Sequence, residues 1–181
     1  KERTGISERR YAEKGIGPSD LAIPAVKQAL KEAELSIKDI DFMIFATCTP
    51  DYYIPGSGCL LQEKMGFNEI GALDIRAQCS GFIYGLSIAE QYIRTGKYNN
   101  ILLVGSEVQS TAMDLSNSGR ETAIIFGDGA GAAIIQSTEE DKGILSTHMH
   151  SDGKYLKELW VEAPASKAGN PRISPEDLSQ G

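Results

Sequence analysis

Two short runs of unbroken apolar residues constrain this chain more than any other feature. Residues 41–47 (DFMIFAT) and 100–105 (NILLVG) are rich in β-formers and show no alternation of apolar and polar positions. A strand with one wet face alternates; a strand buried on both faces does not. Each run is therefore expected to be an inner strand of a sheet covered on both sides. The segments between them supply the cover. Residues 18–35 place Leu21, Ala25, Val26, Ala29, Leu30 and Ala33 at helical spacing, with Ser19 or Asp20 as the cap and Pro24 expected near the first turn. A second helix is expected over 55–65, ending at Gly66, and a third over 80–95, with Phe82, Leu86, Ala89 and Ile93 on one face and Gly96 as its stop. Residues 72–75 add a short strand. The order strand, helix, strand, helix, strand predicts parallel strands joined by crossover helices.

After a polar loop over 107–121 the pattern changes. Residues 122–126 and 130–135 flank Gly127-Asp128-Gly129, and Asp-Gly between apolar runs predicts a hairpin. A third strand-like stretch covers 143–150, and from 151 onward the chain is polar and irregular.

Composition narrows the function classes. With 181 residues, 41% of them hydrophobic and 24% charged, the chain can bury a core without disulfides or metals. A net charge of −7 disfavours nucleic acid or an anionic membrane surface as the main partner, although a local basic patch can still hold a phosphate. No apolar run approaches the ~18 residues of a membrane span, and no signal peptide is recognisable. Cys48, Cys59 and Cys79 form no CxxC pair, which fits a reducing cytoplasm. The chain opens at Lys1 without Met and stops within a polar stretch, so it is expected to be a segment of a longer protein.

Three groups invite chemistry. Gly127, Gly129 and Gly131 give GxGxG, but a dinucleotide fingerprint needs a helix after it; a strand-like run follows here, so a tight turn is expected. His148 and His150 fall on one face of a strand-like segment, yet no Cys/His cluster offers further ligands, and no metal site is expected. Cys48 ends a strand and Cys59 lies among small residues; both are expected to be small buried hydrophobes. Cys79 differs. It stands at the joint of a short strand and a helix, where the helix N-terminus favours thiolate and where ligands of open α/β sheets bind. A nucleophile and a buried structural cysteine both remain open readings from the residues alone.

Several motifs nevertheless agree in order. The segment Asp74-Ile75-Arg76-Ala77-Gln78-Cys79-Ser80-Gly81-Phe82, the triplet Gly105-Ser106-Glu107 and the run Phe126-Gly127-Asp128-Gly129-Ala130-Gly131-Ala132 resemble β-ketoacyl-acyl-carrier-protein synthase III, of the thiolase superfamily. So do Arg3-Thr4-Gly5-Ile6 with Glu8-Arg9-Arg10, and Ser146-Thr147-His148-Met149-His150-Ser151-Asp152-Gly153. The match runs in register across 3–153.

The resemblance implies a thiolase-like layered α/β fold of which this chain is the first half, a mixed, mostly parallel sheet with helices on its faces. Residues 1–153 would form that half, and 154–181 a polar irregular segment leading to a second half that carries the family's catalytic His and Asn. Neither His148 nor His150 stands in for that His. Cys79 would take the acyl group from acyl-CoA as a thioester. Arg3 and Arg120 match arginines near the adenine and phosphate end of coenzyme A. Phe126 matches a residue beside the reactive sulfur. Ile54, in Tyr52-Tyr53-Ile54-Pro55, matches a position that enters the partner subunit's acyl pocket. The implied partners are acyl-CoA, acyl carrier protein and a second copy of the chain. No metal is implied, and no cofactor beyond the coenzyme A thioester used as substrate. The implied reaction is decarboxylating condensation with malonyl-carrier protein, which initiates fatty-acid synthesis. Two alternatives stand beside it: a branch that passes the acyl group to another acceptor, and a non-catalytic subunit of a heterodimer. Arg76 and Gln78 stand where the family commonly has small residues, so the resemblance fixes the acceptor less firmly than the nucleophile.

Overall fold

The computed structural model describes residues 4–161. The elements in chain order are α1 (Pro18–Glu32), β1 (Phe42–Ala46), α2 (Ser57–Met65), β2 (Gly71–Ile75), α3 (Gly81–Arg94), β3 (Asn100–Glu107), α4 (Arg120–Ala123) and β4 (Gly129–Gln136). The four strands form one sheet in the order β2-β1-β3-β4. β1 pairs parallel with β2 and with β3, and β4 pairs antiparallel with β3.

The two unbroken apolar runs became the two inner strands. Every residue of β1 is buried, as are Ile101, Leu102, Leu103 and Val104 of β3. Their alternate side chains feed two cores. Met43, Phe45, Leu102 and Val104 pack with Ala22, Val26 and Leu30 of α1 and Leu61 of α2. Phe42, Ile44, Ile101 and Leu103 meet Ala89, Phe82, Leu86 and Ile93 of α3 on the opposite face. Full burial of each large side chain is worth about 1.5–3 kcal/mol, which is why register here is not negotiable. At Gly85, a Cβ would collide with Leu103 Cδ1 and lie 3.5 Å from Ile44 Cγ2, so glycine lets α3 lie close against the sheet.

Several local expectations are corrected. The cap of α1 is Gly17 rather than Ser19 or Asp20; Asp20 Oδ2 accepts the Gly17 N–H at 3.0 Å, while Ser19 donates through N and Oγ to Asp51. Pro18 takes the first turn and Pro24 falls inside the helix, on an exposed position where a missing backbone bond costs least. α2 begins at Ser57, two residues later than expected, because the Asp74 carboxylate on β2 accepts the Ser57 and Gly58 N–H groups at 2.6 and 2.9 Å. α2 ends at Gly66 with φ 71°, as its sequence implied.

The hairpin around Asp128 does not form. Residues 122–126 contribute to α4 and the turn after it, and β4 pairs with β3, from Glu107↔Gly129 to Asn100↔Gln136. The strand-like stretch 143–150 joins no ladder. The chain packs as two units, Lys1–Thr147 and His148–Gly181; of the second, the described residues hold a single turn of 3-10 helix, Gly153–Tyr155. Among the described residues no helix is long and apolar enough to cross a membrane.

Candidate active site

Register places the site. Ala46 pairs with Ile75 on one side and with Gly105 on the other, so the carboxyl ends of β2, β1 and β3 lie level. The residues just beyond these ends share one edge: Cys79 after β2, Thr47, Cys48 and Thr49 after β1, and Glu107 closing β3. This is the edge at which open α/β sheets bind ligands.

Cys79 is exposed, within a 3-10 turn (Gln78–Ser80) that runs directly into α3. The turn is closed by Ser80, whose N and Oγ donate to the Ala77 carbonyl at 3.1 and 2.8 Å. Gln78 has φ 47°, a left-handed conformation uncommon for a residue with a side chain. That kink reverses the chain sharply between strand and helix and lifts Cys79 clear of the sheet. Backbone of this kind is held where the surroundings dictate it, and it clusters at functional sites. The thiol stands at the N-terminal end of α3, where the first backbone N–H groups of the helix are exposed to a ligand.

Beside it lies a clamp that the sequence reading missed. The Glu107 carboxylate accepts the Cys48 N–H at 2.8 Å and the Thr49 hydroxyl at 2.5 Å, with Thr47 Oγ1 and Cys48 Sγ each at 3.3 Å. Gln109 Nε2 donates to Cys48 Sγ at 3.4 Å. Burial pushes the Cys48 thiol up, and the neighbouring Glu107 charge and Cys79 push the same way. Cys48 is therefore held as a thiol, half-buried and hydrogen-bonded rather than inert filling. Cys59 is exposed on α2, against the expectation that it is buried.

The other predicted site residues are spread out. Arg120 is exposed at the start of α4 and lines a groove of about 440 Å³ with Arg9, Tyr11, Ser116, Asn117 and Ile124. Arg3 lies outside the described residues. Phe126 is half-buried in the turn before β4. Ile54 is 88% exposed, next to the exposed Tyr52 and Tyr53. The structure brings Arg120 together with Arg9, a residue noted in sequence only as part of a motif; Cys79 does not line that groove. Among the described residues no group of His, Cys, Asp and Glu is arranged to hold a metal ion.

Comparison with known proteins converges on one family. Residues 73–153, which carry Cys79 and the Gly127-Asp128-Gly129 turn, match the family model for 3-oxoacyl-[acyl-carrier-protein] synthase III. The chain is 47% identical over 165 residues to the β-ketoacyl-[acyl-carrier-protein] synthase III of Methylococcus capsulatus, covering 91% of this chain and 50% of that protein. Over 91% of its length the chain is similar to a 3-oxoacyl-[acyl-carrier-protein] synthase III. Solved structures of synthase III agree: that from Aquifex aeolicus superposes with a TM-score of 0.79 at 42% identity, over 84% of this chain and 49% of that one. That from Thermus thermophilus gives a TM-score of 0.83 at 35% identity, over 97% and 52%. The mixed, mostly parallel sheet with helices on both faces is thus the thiolase-like sheet of synthase III. The chain spans about half the length of the curated relatives it matches.

Proposed function

We propose that this chain is the acyl-accepting half of an enzyme that condenses a short acyl-CoA with malonyl-acyl-carrier protein, initiating fatty-acid synthesis. The observation that carries the reading is the exposed Cys79, raised on a kinked turn between the carboxyl end of β2 and the start of α3, in a chain similar to synthase III.

In this account the Cys79 thiolate attacks the thioester carbonyl of acyl-CoA. A new C–S bond forms, the bond to the coenzyme A sulfur breaks, and coenzyme A departs as its thiolate, to be protonated by solvent. The Cys79 backbone N–H, at the turn leading into α3, would be one donor to the developing oxyanion. The malonyl group then loses carbon dioxide, and its carbanion attacks the acyl-Cys79 carbonyl, expelling the thiolate and leaving a 3-ketoacyl carrier protein. In the family the His and Asn of the second half serve this step. Arg120, and Arg3 outside the described residues, would hold the nucleotide end of coenzyme A, since a guanidinium stacks on a base and pairs with phosphate. Phe126 would line the space beside the sulfur. No cofactor beyond the coenzyme A thioester enters the scheme.

The full-length protein would be a cytoplasmic homodimer, with the Ile54 loop reaching the partner subunit. Neither nucleic acid nor membrane is a partner in this reading, consistent with a net charge of −7.

The test is to supply the full-length enzyme with acetyl-CoA and malonyl-carrier protein. Carbon dioxide release matched to 3-ketoacyl product is expected. Acyl transfer to another acceptor without carbon dioxide would contradict the reading.

Ile54 gives a specificity prediction. Replacing it by Phe adds volume where an acyl tail would end, so longer acyl-CoA donors are expected to lose more kcat/KM than acetyl-CoA. Even one methylene is worth about 1–3 kcal/mol in an apolar pocket. Equal losses across chain lengths would reduce Ile54 to a subunit contact.

A further inference from the structure

Asp128 is a junction rather than a hairpin turn. Its carboxylate accepts the Ala12 N–H at 2.7 Å and the Ser110 N–H at 2.8 Å, and takes the Ser110 hydroxyl at 2.5 Å. Its own N–H donates to the Arg10 carbonyl at 2.8 Å. Three stretches meet there: the irregular segment around 10–12, the 3-10 turn Gln109–Ala112, and the start of β4. Burial works to raise this carboxyl, but the bonds from Ser110, Ala12 and Gln109 outweigh it and hold it below the ordinary carboxylate range.

The groove that contains Arg120 is built from the chain on either side of these ties. Arg9 and Tyr11 come from the first stretch; Ser116, Asn117 and Arg120 come from the chain leading out of the second. Residues 9–12 belong to no helix or strand, and the Asp128 bonds tie that wall to the body of the fold. One residue that does not itself line the groove thus ties together the stretches that lead into both of its guanidinium-bearing walls.

We infer that Asp128 is a positioning residue for the nucleotide end of the acyl-CoA donor, acting through the 9–12 segment and the 109–112 turn. This rests on the functional reading above, and the experiment separates the two. The full-length enzyme is assayed with acetyl-CoA and with an acetyl thioester of pantetheine, which lacks the nucleotide. For Asp128→Asn, kcat/KM for acetyl-CoA is expected to fall by about tenfold or more, mainly through KM, because a displacement near 1 Å is costly for a positioned ligand. With the truncated donor the change should stay below about threefold. Ser110→Ala removes one bond, retains the backbone tie, and should show the same split at smaller size; it decides the matter if Asp128→Asn does not fold. If the wild type prefers acetyl-CoA over the truncated donor but both variants lose the two donors alike, or lose neither, the inference is overturned while the functional reading stands. If the wild type is acylated by neither donor, the functional reading fails and the inference falls with it.

Discussion

Replacing Cys79 by Ala is expected to abolish both acyl-enzyme formation and condensation, with turnover of the full-length enzyme falling by at least about 10³-fold. The effect should be this large because the thiolate is the covalent acceptor, and without it the two-step route has no first step. Neither other cysteine can substitute. Cys48 is held as a thiol by burial and by the Glu107 carboxylate it contacts, and Cys59 stands on α2, outside the turn that joins β2 to α3. The substitution should leave the fold intact, since Cys79 is exposed and its turn is closed by Ser80 and Ala77. Unchanged thermal stability with lost turnover is the predicted pair of results. Turnover within tenfold of wild type would remove Cys79 from the reaction.

A second large effect is expected at Gly85, some distance from the chemistry. An added methyl group there meets Leu103, which is fully buried and cannot swing into solvent. Overpacking of this kind costs about 1–3 kcal/mol, so Gly85→Ala should lower Tm by several degrees. It should also lower turnover. α3 would be pushed off the sheet, and Cys79 sits in the turn that leads into that helix; a misplacement of about 1 Å can cost about 10²-fold. Gly131→Ala is the control, because nothing lies within 4 Å of the Cβ it would add. Calorimetry and steady-state assays of the two variants should separate clearly. A Gly85→Ala enzyme as stable as the control would show that α3 is not held as tightly as the geometry implies.

What the sequence made legible was what depends on local pattern. The unbroken runs at 41–47 and 100–105 identify inner strands because burial on both faces removes alternation, and β1 and β3 are those strands. The spacing of Phe82, Leu86, Ala89 and Ile93 correctly names the face of α3 that meets the sheet. What stayed hidden depends on partners far along the chain. Asp-Gly at 128–129 looks like a hairpin turn, but the Asp128 side chain is engaged by Ala12 and Ser110, and β4 finds the open edge of β3 instead. Asp74 caps a helix that begins 17 residues earlier, which no local window detects. Glu107 stands out in the sequence only as part of the Gly105-Ser106-Glu107 motif, yet it gathers Thr47, Cys48 and Thr49 from across the sheet edge. Cys59 was misjudged for a simpler reason: it lies two residues from the buried Leu61, a rotation of about 200° around the helix, and so faces outward. The strand–helix joint singles out Cys79 as a candidate, while the left-handed Gln78 that shapes the joint carries no signature in the residue types around it.

The most direct test of the account is peptide mass spectrometry of the full-length protein after brief incubation with a short acyl-CoA. The account predicts one acyl adduct, on the peptide containing Cys79, absent from Cys48 and Cys59 and lost in Cys79→Ala. An unmodified Cys79 peptide, or an adduct that persists on another residue after Cys79→Ala, would contradict it.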